Sequence, residues 1–134
     1  MLMSLVQALG MDASCIPRIA TGFGGGMGGT GDVCGALTGA VMALGLRYGR
    51  QSSGDTAAKE ATYSKASRAM KAFRQEFDSI RCRDLIGCDL QTPEGGERFK
   101  KENVHANLCA KFVDFAAGEA FRLMSENRTV DHRR

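Results

Sequence analysis

A glycine-rich segment near the N-terminus constrains the fold more than any other feature of this sequence. Residues 23–40 read FGGGMGGTGDVCGALTGA and hold eight glycines and one cysteine, Cys34. Glycine loses more conformational freedom on folding than any other residue, so such a run needs a structural reason. Two interpretations are open: the loop binds a phosphate group, or it lets backbone and helices approach Cys34 closely. In both, we expect Gly22 or Gly24 to end the preceding helix in a left-handed conformation.

Apolar residues outside this loop recur at the three- and four-residue steps of amphipathic helices. The clearest stripe consists of Tyr63, Ala66, Met70, Phe73, Phe77 and Ile80. Earlier in the chain, the pattern predicts a first helix ending near Gly10. A second helix is predicted from about Cys15, with Pro17 in its first turn. A third is predicted from an N-cap at Asp32 to about Tyr48.

The C-terminal half predicts further helices separated by an irregular connection. The sequence CRDLIG, residues 82–87, indicates a short turn of helix, and the last helix is predicted from about Glu102 to Glu126. Residues 88–103 contain Pro93 and two glycines and are predicted to be irregular. The sequence shows no strand pattern and no internal repeat. We therefore predict an all-α fold, a compact bundle of four to five helices with a glycine-rich interhelical loop.

Length and composition indicate one helical domain, residues 1–134, with residues 127–134 as a mobile C-terminal tail. The chain has 134 residues, of which 43% are hydrophobic and 25% charged, with a net charge of +3. This length is sufficient to bury a core. Two tyrosines and no tryptophan leave little aromatic surface to stack on bases, which argues against a nucleic-acid partner.

Hydropathy argues against a membrane protein. The longest apolar run, residues 33–46, has 14 residues, whereas a membrane-spanning helix needs about 20. The N-terminus lacks the basic segment and cleavage site of a signal peptide, so we expect a cytoplasmic protein. Because cytoplasmic thiols are normally reduced, the five cysteines favour metal or redox chemistry over a disulfide framework.

Two cysteines lie in surroundings that favour the thiolate. Cys34 is predicted in the first turn of the third helix, where free backbone amides lower a thiol pKa, although the Asp32 carboxylate opposes this. Arg81 and Arg83 flank Cys82 and favour its thiolate. The alternative for Cys34 is a small core residue at a helix crossing.

The other cysteines give weaker indications. Cys88 follows Cys82 by six residues, which is not a recognised zinc-ligand spacing. His105 precedes Cys109 by four residues on the last helix, so both side chains are candidate ligands of one metal ion. Cys15 has no identifiable partner, and we expect it to pack in the core.

The glycine loop matches the dinucleotide-binding pattern G-x-G-x-x-G twice, but its surroundings do not support that function. The pattern works after a β-strand and within a strand–helix–strand unit, whereas the preceding stretch CIPRIAT is predicted to be helical. No Lys-Ser or Lys-Thr pair follows, which excludes a Walker loop. Nucleotide or anion binding at this loop is therefore the least favoured alternative.

Two segments and one cysteine together resemble a known family. The segments are FGGGMGGTGDVCGALTGAVMALGLRYG and FRQEFDSIRCRDLIGCDL, and the cysteine lies in the last helix. They resemble the C_GCAxxG_C_C family of redox-active proteins over about residues 5–117. VCGALTG stands at the GCAxxG position, with Cys34 as its cysteine and Gly39 as its last glycine, and Gly and Cys stand in a different order from the family name. Cys82 and Cys109 match the third and fourth family cysteines.

The resemblance implies redox activity through cysteines, as in proteins that often come from anaerobic prokaryotes, and a metal or iron–sulfur centre as the cofactor. The first cysteine of the family is expected upstream of Met1. The resemblance also favours the second interpretation of the glycines, as residues that allow close approach at Cys34. The glycines to which we assign this role are Gly26, Gly31, Gly35 and Gly39.

We therefore expect a thiol-based redox or metal-binding protein, either an oxidoreductase or an accessory protein of electron transfer. Cys34, Cys82 and Cys109 are expected to meet at one end of the bundle, as redox thiols or as ligands of a metal or iron–sulfur cluster. Cys88 or His105 is the candidate fourth ligand. A redox partner protein and a homodimer are further expectations. The competing hypothesis is a helical interaction or assembly module with structural core cysteines.

Overall fold

The computed structural model describes residues 1–126, and the tail predicted at 127–134 lies outside the described residues. The α-helices are α1 (Leu2–Ala8), α2 (Ile16–Ala20), α3 (Gly35–Tyr48), α4 (Thr56–Phe77), α5 (Cys82–Ile86), α6 (Pro93–Lys101) and α7 (Ala110–Ser125). A 3₁₀ turn (Thr21–Phe23) follows α2, and a π-helical turn (His105–Cys109) precedes α7. The part of the chain described holds no β-strand, which confirms the all-α prediction, with seven helices instead of four or five.

The core lies where α3, α4 and α7 pack against one another, with α1 against α3. The buried residues of α3 are mostly small: Ala36, Leu37, Gly39, Ala40, Ala43 and Leu44. Phe73 of α4 is fully buried, and its ring centre lies 4.8 Å from that of Phe77 and 6.2 Å from that of Phe112 on α7. Small side chains on α3 thus let α4 and α7 approach closely enough to share one aromatic cluster.

The longest helix, α4, carries most of the apolar stripe expected from the sequence, but the buried stripe is shorter at both ends than predicted. It ends at Phe77 because Asp78 adopts a left-handed conformation with φ 62°. Ile80, predicted within the helix, therefore lies in the connection that follows. Tyr63, predicted on the buried face, is 66% exposed, so the buried part of the stripe begins after it.

Helix α6 corrects the prediction that residues 88–103 are irregular. The Thr92 hydroxyl accepts a hydrogen bond from the Gly95 N–H at 3.0 Å and so caps the helix. Pro93 occupies the first turn, where its missing N–H costs nothing. Basic residues lie in the last turn, where they interact favourably with the helix dipole. The Thr92 cap, Pro93 and the basic residues of the last turn thus stabilise α6 despite the two glycines inside it.

The glycine-rich loop forms a left-handed turn. Five consecutive residues have positive φ: Gly25 at 61°, Gly26 at 72°, Met27 at 67°, Gly28 at 63° and Gly29 at 77°. The expected left-handed conformation at Gly22 or Gly24 is wrong, since the stretch begins one residue later and Gly24 has φ −64°. A left-handed helix costs about 1–2 kcal/mol per residue that has a Cβ. Backbone conformation therefore explains the glycine run.

Helices α3 and α7 begin at the same end of the bundle. Tyr48, the last residue of α3, donates a hydrogen bond from its hydroxyl to the Met124 carbonyl near the end of α7 at 3.0 Å. The glycine loop, α5 and the π-helical turn gather at the opposite end, around the start of both helices. Within residues 1–126, no helix combines the length and the hydrophobicity needed to cross a membrane.

Candidate functional site

A short backbone ladder brings Cys34 and Cys82 together. The N–H of Cys34 donates to the Ile80 carbonyl at 2.8 Å, and the N–H of Cys82 donates to the Asp32 carbonyl at 2.7 Å. The two bonds flank an isolated antiparallel bridge. Residues on either side of such a bridge point to the same face of the ladder, so both cysteine side chains share one face.

Asp32 does not cap α3 as predicted, because its backbone belongs to this ladder. The helix begins at Gly35, and Cys34 is its N-cap residue. The Leu37 N–H donates to the Cys34 carbonyl at 3.0 Å, and the Cys34 side chain makes no capping hydrogen bond. The sulfur lies at the positive end of the helix, where the amides of Ala36 and Leu37 act to lower the pKa of the thiol.

Burial raises the pKa of the Cys34 thiol above its usual value, and the nearby backbone amides of Ala36 and Leu37 oppose this only in part. Cys34 is 8% exposed. The prediction that the helix start lowers this pKa is therefore wrong, because removal of the thiolate from water outweighs the amides. At neutral pH the site holds Cys34 as a thiol.

Burial also raises the pKa of Cys82, to about 11, and repulsion by the thiolates of Cys34, Cys109 and Cys88 adds to it. The flanking arginines, expected to favour the thiolate, do not reverse this. One of them, Arg83, donates instead to the Thr30 carbonyl at 3.2 Å. Burial likewise raises the pKa of Cys109, followed by repulsion from Cys34 and Cys88. Cys34 and Cys88 are thus close enough to both Cys82 and Cys109 to raise their pKa values.

Three of these cysteines line one cavity with a volume of about 200 Å³: Cys34, Cys82 and Cys109. They come from the start of α3, from α5 and from the π-helical turn. Apolar side chains and glycines complete the wall: Ala36, Leu90, Phe99, Val113, Gly25, Gly26 and Gly35. His105 also lines the cavity and is exposed, while Cys109 is half-buried. Both are more accessible to solvent than Cys34 and Cys82, which are buried.

The four glycines assigned to close approach lie in different places. A Cβ at Gly26 would stand 2.6 Å from the Cβ of Cys82, so this glycine makes room for Cys82. A Cβ at Gly35 would stand 3.1 Å from the Phe23 carbonyl oxygen. Gly31 lies against the Arg83 side chain, and Gly39, one turn after Gly35 on α3, faces Met1.

The amides of the glycine loop bond within the loop itself. The N–H groups of Gly28 and Gly29 donate to the carbonyls of Gly22 and Gly24 at 2.8 and 3.0 Å. The N–H groups of Gly31 and Asp32 donate in the same way to Gly25 and Gly26, at 3.0 and 2.9 Å. A phosphate cradle needs such amides to be free, so this pattern argues against nucleotide or anion binding here.

His105 and Cys109 do not have the helical relation assumed from their spacing. They are the first and last residues of the π-helical turn, in which hydrogen bonds close from residue i to i+5. Within residues 1–126, no group of three or more His, Cys, Asp or Glu side chains is placed to hold a metal ion. The predicted ligands Cys34, Cys82, Cys109, Cys88 and His105 thus form no coordination site in this arrangement.

The two remaining cysteines lie outside the cavity wall. Cys15 is exposed, so the expectation that it packs in the core is wrong; it stands just before α2, where the chain turns at the surface. Cys88 is half-buried, and its charge raises the pKa of both Cys82 and Cys109. All five cysteines are free thiols.

Sequence reasoning missed the apolar part of the wall, above all Phe99 on α6 and Leu90 before it. Both were assigned to an irregular connection. The signal was present in the adjacent Thr92 and Pro93, an N-cap residue followed by a proline suited to the first turn.

A family model described as "Putative redox-active protein (C_GCAxxG_C_C)" matches residues 1–123 of the chain. This match includes every residue of the cavity wall. No curated protein and no solved structure gives a significant match to the chain.

Proposed function

The chain belongs to the C_GCAxxG_C_C family of redox-active proteins, and we propose that it works by reversible dithiol–disulfide chemistry at the cysteine cavity. The observation that carries the proposal is the meeting of three free cysteines from distant parts of the chain at one cavity. Cys34 and Cys82 form the reacting pair, because they share one face of the backbone ladder.

The reaction is thiol–disulfide exchange with an external disulfide. The Cys34 thiolate attacks one sulfur of the substrate, which forms a mixed disulfide and releases the first substrate thiolate. The Cys82 thiolate then attacks Cys34 in the mixed disulfide, and the second substrate thiolate leaves. The two cysteines lose two electrons and two protons, and the substrate takes them up as two thiols.

Cys34 suits the attacking position better than Cys82. The amides of Ala36 and Leu37 stabilise negative charge on its sulfur, whereas the pKa of Cys82 is raised to about 11 without such donors among its causes. Cys109, which is half-buried, can attack the Cys34–Cys82 disulfide, which forms a new disulfide to Cys109 and releases one thiolate; full reduction of the pair takes two thiols from a partner. Whether the chain acts as an oxidoreductase or as an accessory protein of electron transfer depends on the partner that completes this cycle.

The predicted metal or iron–sulfur centre has less support. Thiolates bind soft metals, yet the described side chains are not arranged as ligands. We therefore derive no step through a metal. Elemental analysis of protein purified without oxygen tests this alternative: the proposal expects neither iron nor zinc in stoichiometric amount. One metal per chain, lost in Cys34→Ser, would replace dithiol chemistry with metal binding.

The assembly-module hypothesis treats the cysteines as inert core residues. It predicts that Cys34 and Cys82 stay reduced under mild oxidation, whereas the redox proposal predicts a reversible loss of two thiols per chain. A redox partner protein, a homodimer and a cytoplasmic location remain predictions.

Counting thiols in the folded protein tests the proposal. Mild oxidation with hydroxyethyl disulfide should remove two cavity thiols, and dithiothreitol should restore them. Cys34→Ser should abolish this intramolecular change. Cys15→Ser, which alters an exposed cysteine away from the cavity, should retain it as the matched control. Unchanged behaviour of Cys34→Ser would contradict the proposal.

A further inference from the structure

The cavity that holds the thiols has an uncharged wall. Among the described residues that line it, none is Asp, Glu, Lys or Arg. Apart from the thiols, His105 is the one ionisable lining residue of that set, and it is exposed. The rest of the wall includes Leu90, Phe99 and Val113 together with glycine backbone.

Two arginines that neighbour wall residues in the sequence, Arg83 and Arg98, bond to groups outside the cavity, although the buried Nε of Arg83 has no partner among the described residues. Arg83, next to Cys82, donates to the Thr30 carbonyl at 3.2 Å and pairs with the Asp89 carboxylate at 3.5 Å. Arg98, next to Phe99, donates to the Gly87 carbonyl at 2.9 Å and to Glu102 at 3.0 Å. Neither guanidinium lines the cavity, so an anionic substrate finds no counter-ion there.

The size of the cavity also limits which disulfides can enter it. Its volume of about 200 Å³ corresponds to the room taken by about seven waters in the liquid. Pockets for drug-sized ligands have about 300–1,000 Å³. Because Cys34 and Cys82 are each 8% exposed, a reacting sulfur must enter the cavity to reach them.

We infer that the disulfide exchanged at this cavity is a small, uncharged molecule, not a charged peptide disulfide or a folded protein. This inference rests on the proposed function. A carboxylate or ammonium carried into the cavity would lose its water without meeting an Asp, Glu, Lys or Arg side chain of opposite charge, which is costly. A neutral disulfide with short arms avoids that cost, and its two arms leave as two neutral thiols while Cys34 and Cys82 become joined.

The test compares two disulfides on the same folded protein at pH 8, hydroxyethyl disulfide as the neutral probe and glutathione disulfide as the charged one. Peptide mass analysis follows the loss of reduced Cys34 and, in the same sample, of exposed Cys15. The ratio of the two rates removes the intrinsic reactivity of each reagent. We expect this ratio to be at least about tenfold higher for hydroxyethyl disulfide, because only the cavity requires desolvation.

Equal ratios with both reagents, together with a Cys34–Cys82 disulfide, would overturn the inference and leave the proposed function standing. Failure of both reagents to oxidise Cys34 would overturn both the inference and the proposed function.

A pair of variants tests the role of charge in the wall. Leu90→Lys places a cation in the wall and should shift the ratio towards glutathione disulfide. Leu46→Lys, at a position 41% exposed outside this wall, should leave the ratio unchanged.

Discussion

Helices α3 and α7 run between two ends of the bundle that differ in how their polar side chains and thiols are bonded. Both helices begin at the cysteine cavity, where three thiols stay unpaired. Both end at a cluster that we call the polar end, formed by Tyr48, Lys65, Arg68 and Glu126. There each of the four side chains is held by a hydrogen bond or an ion pair.

At the polar end, a buried lysine is fully accommodated. The Lys65 ammonium donates to the Leu123 carbonyl at 2.8 Å and lies 4.7 Å from the centre of the Tyr48 ring. Arg68 makes two bonds to the Glu126 carboxylate, at 2.6 and 2.7 Å. Lys65 and Tyr48 thus satisfy two of the last carbonyls of α7, those of Leu123 and Met124. These contacts stabilise the polar end of the bundle.

At the cavity, by contrast, the backbone holds the reactive groups in place. The left-handed glycine turn and the ladder bonds of Cys34 and Cys82 fix the sulfurs while leaving them free to react. We therefore expect that the two ends can be altered separately. Side-chain contacts stabilise the polar end, whereas backbone geometry determines the positions of the thiols at the cavity.

The largest effect is expected from Gly26→Ala. A Cβ at this position would stand 2.6 Å from both the Cβ of Cys82 and the Asp32 carbonyl oxygen, at φ 72°. We expect a loss of about 3 kcal/mol in the free energy of unfolding, from a steric clash added to backbone strain. Urea denaturation measures it.

Gly28→Ala is the matched control, since Gly28 also has positive φ, 63°, with nothing within 4 Å of its Cβ position. Strain alone should cost about 1 kcal/mol there. Equal losses in both variants would mean that contact with Cys82 does not limit the glycine turn.

A smaller effect is expected at the polar end from Lys65→Met. The variant removes the 2.8 Å hydrogen bond to the Leu123 carbonyl and leaves it only the longer one from the Tyr48 hydroxyl at 3.5 Å. We expect a loss of about 2 kcal/mol in the free energy of unfolding. Lys71→Met, at an exposed position of the same helix, should change stability little. In both variants the cavity thiols should oxidise at the wild-type rate. A slower oxidation of Cys34 in Lys65→Met would show that the two ends are coupled.

The smallest effect is the pH dependence of stability that Cys82 contributes. Its pKa rises from 9.0 to about 11 on folding, so the folded protein keeps a proton that the unfolded chain releases at lower pH. Stability therefore falls as pH rises through this window, by about 1 kcal/mol between pH 8 and pH 10. Denaturation of wild type and Cys82→Ser at both pH values should give a smaller decline in the variant. Parallel declines would contradict the burial of this thiol.

The sequence predicted the helices well where side chains alone decide them. The apolar spacing of α4 and the short helix after Arg81 follow from local pattern. So does the body of α7, although this helix begins at Ala110 and not at the predicted Glu102, which is the C-cap of α6. The left-handed turn at residues 25–29 did not, because glycine is compatible with many conformations and the choice depends on contacts with Cys82 and Asp32. The predicted pKa shifts failed for a related reason: local sequence shows neighbouring charges but not burial.

The most direct measurement of the central claim is a disulfide map of the wild-type protein. Folded protein is oxidised mildly with hydroxyethyl disulfide, alkylated, digested and analysed by mass spectrometry. We predict a linked pair of peptides that joins Cys34 to Cys82, with Cys15 in the unlinked fraction. A linkage that leaves Cys34 out, or the absence of any intramolecular disulfide, would contradict a redox function at the cysteine cavity.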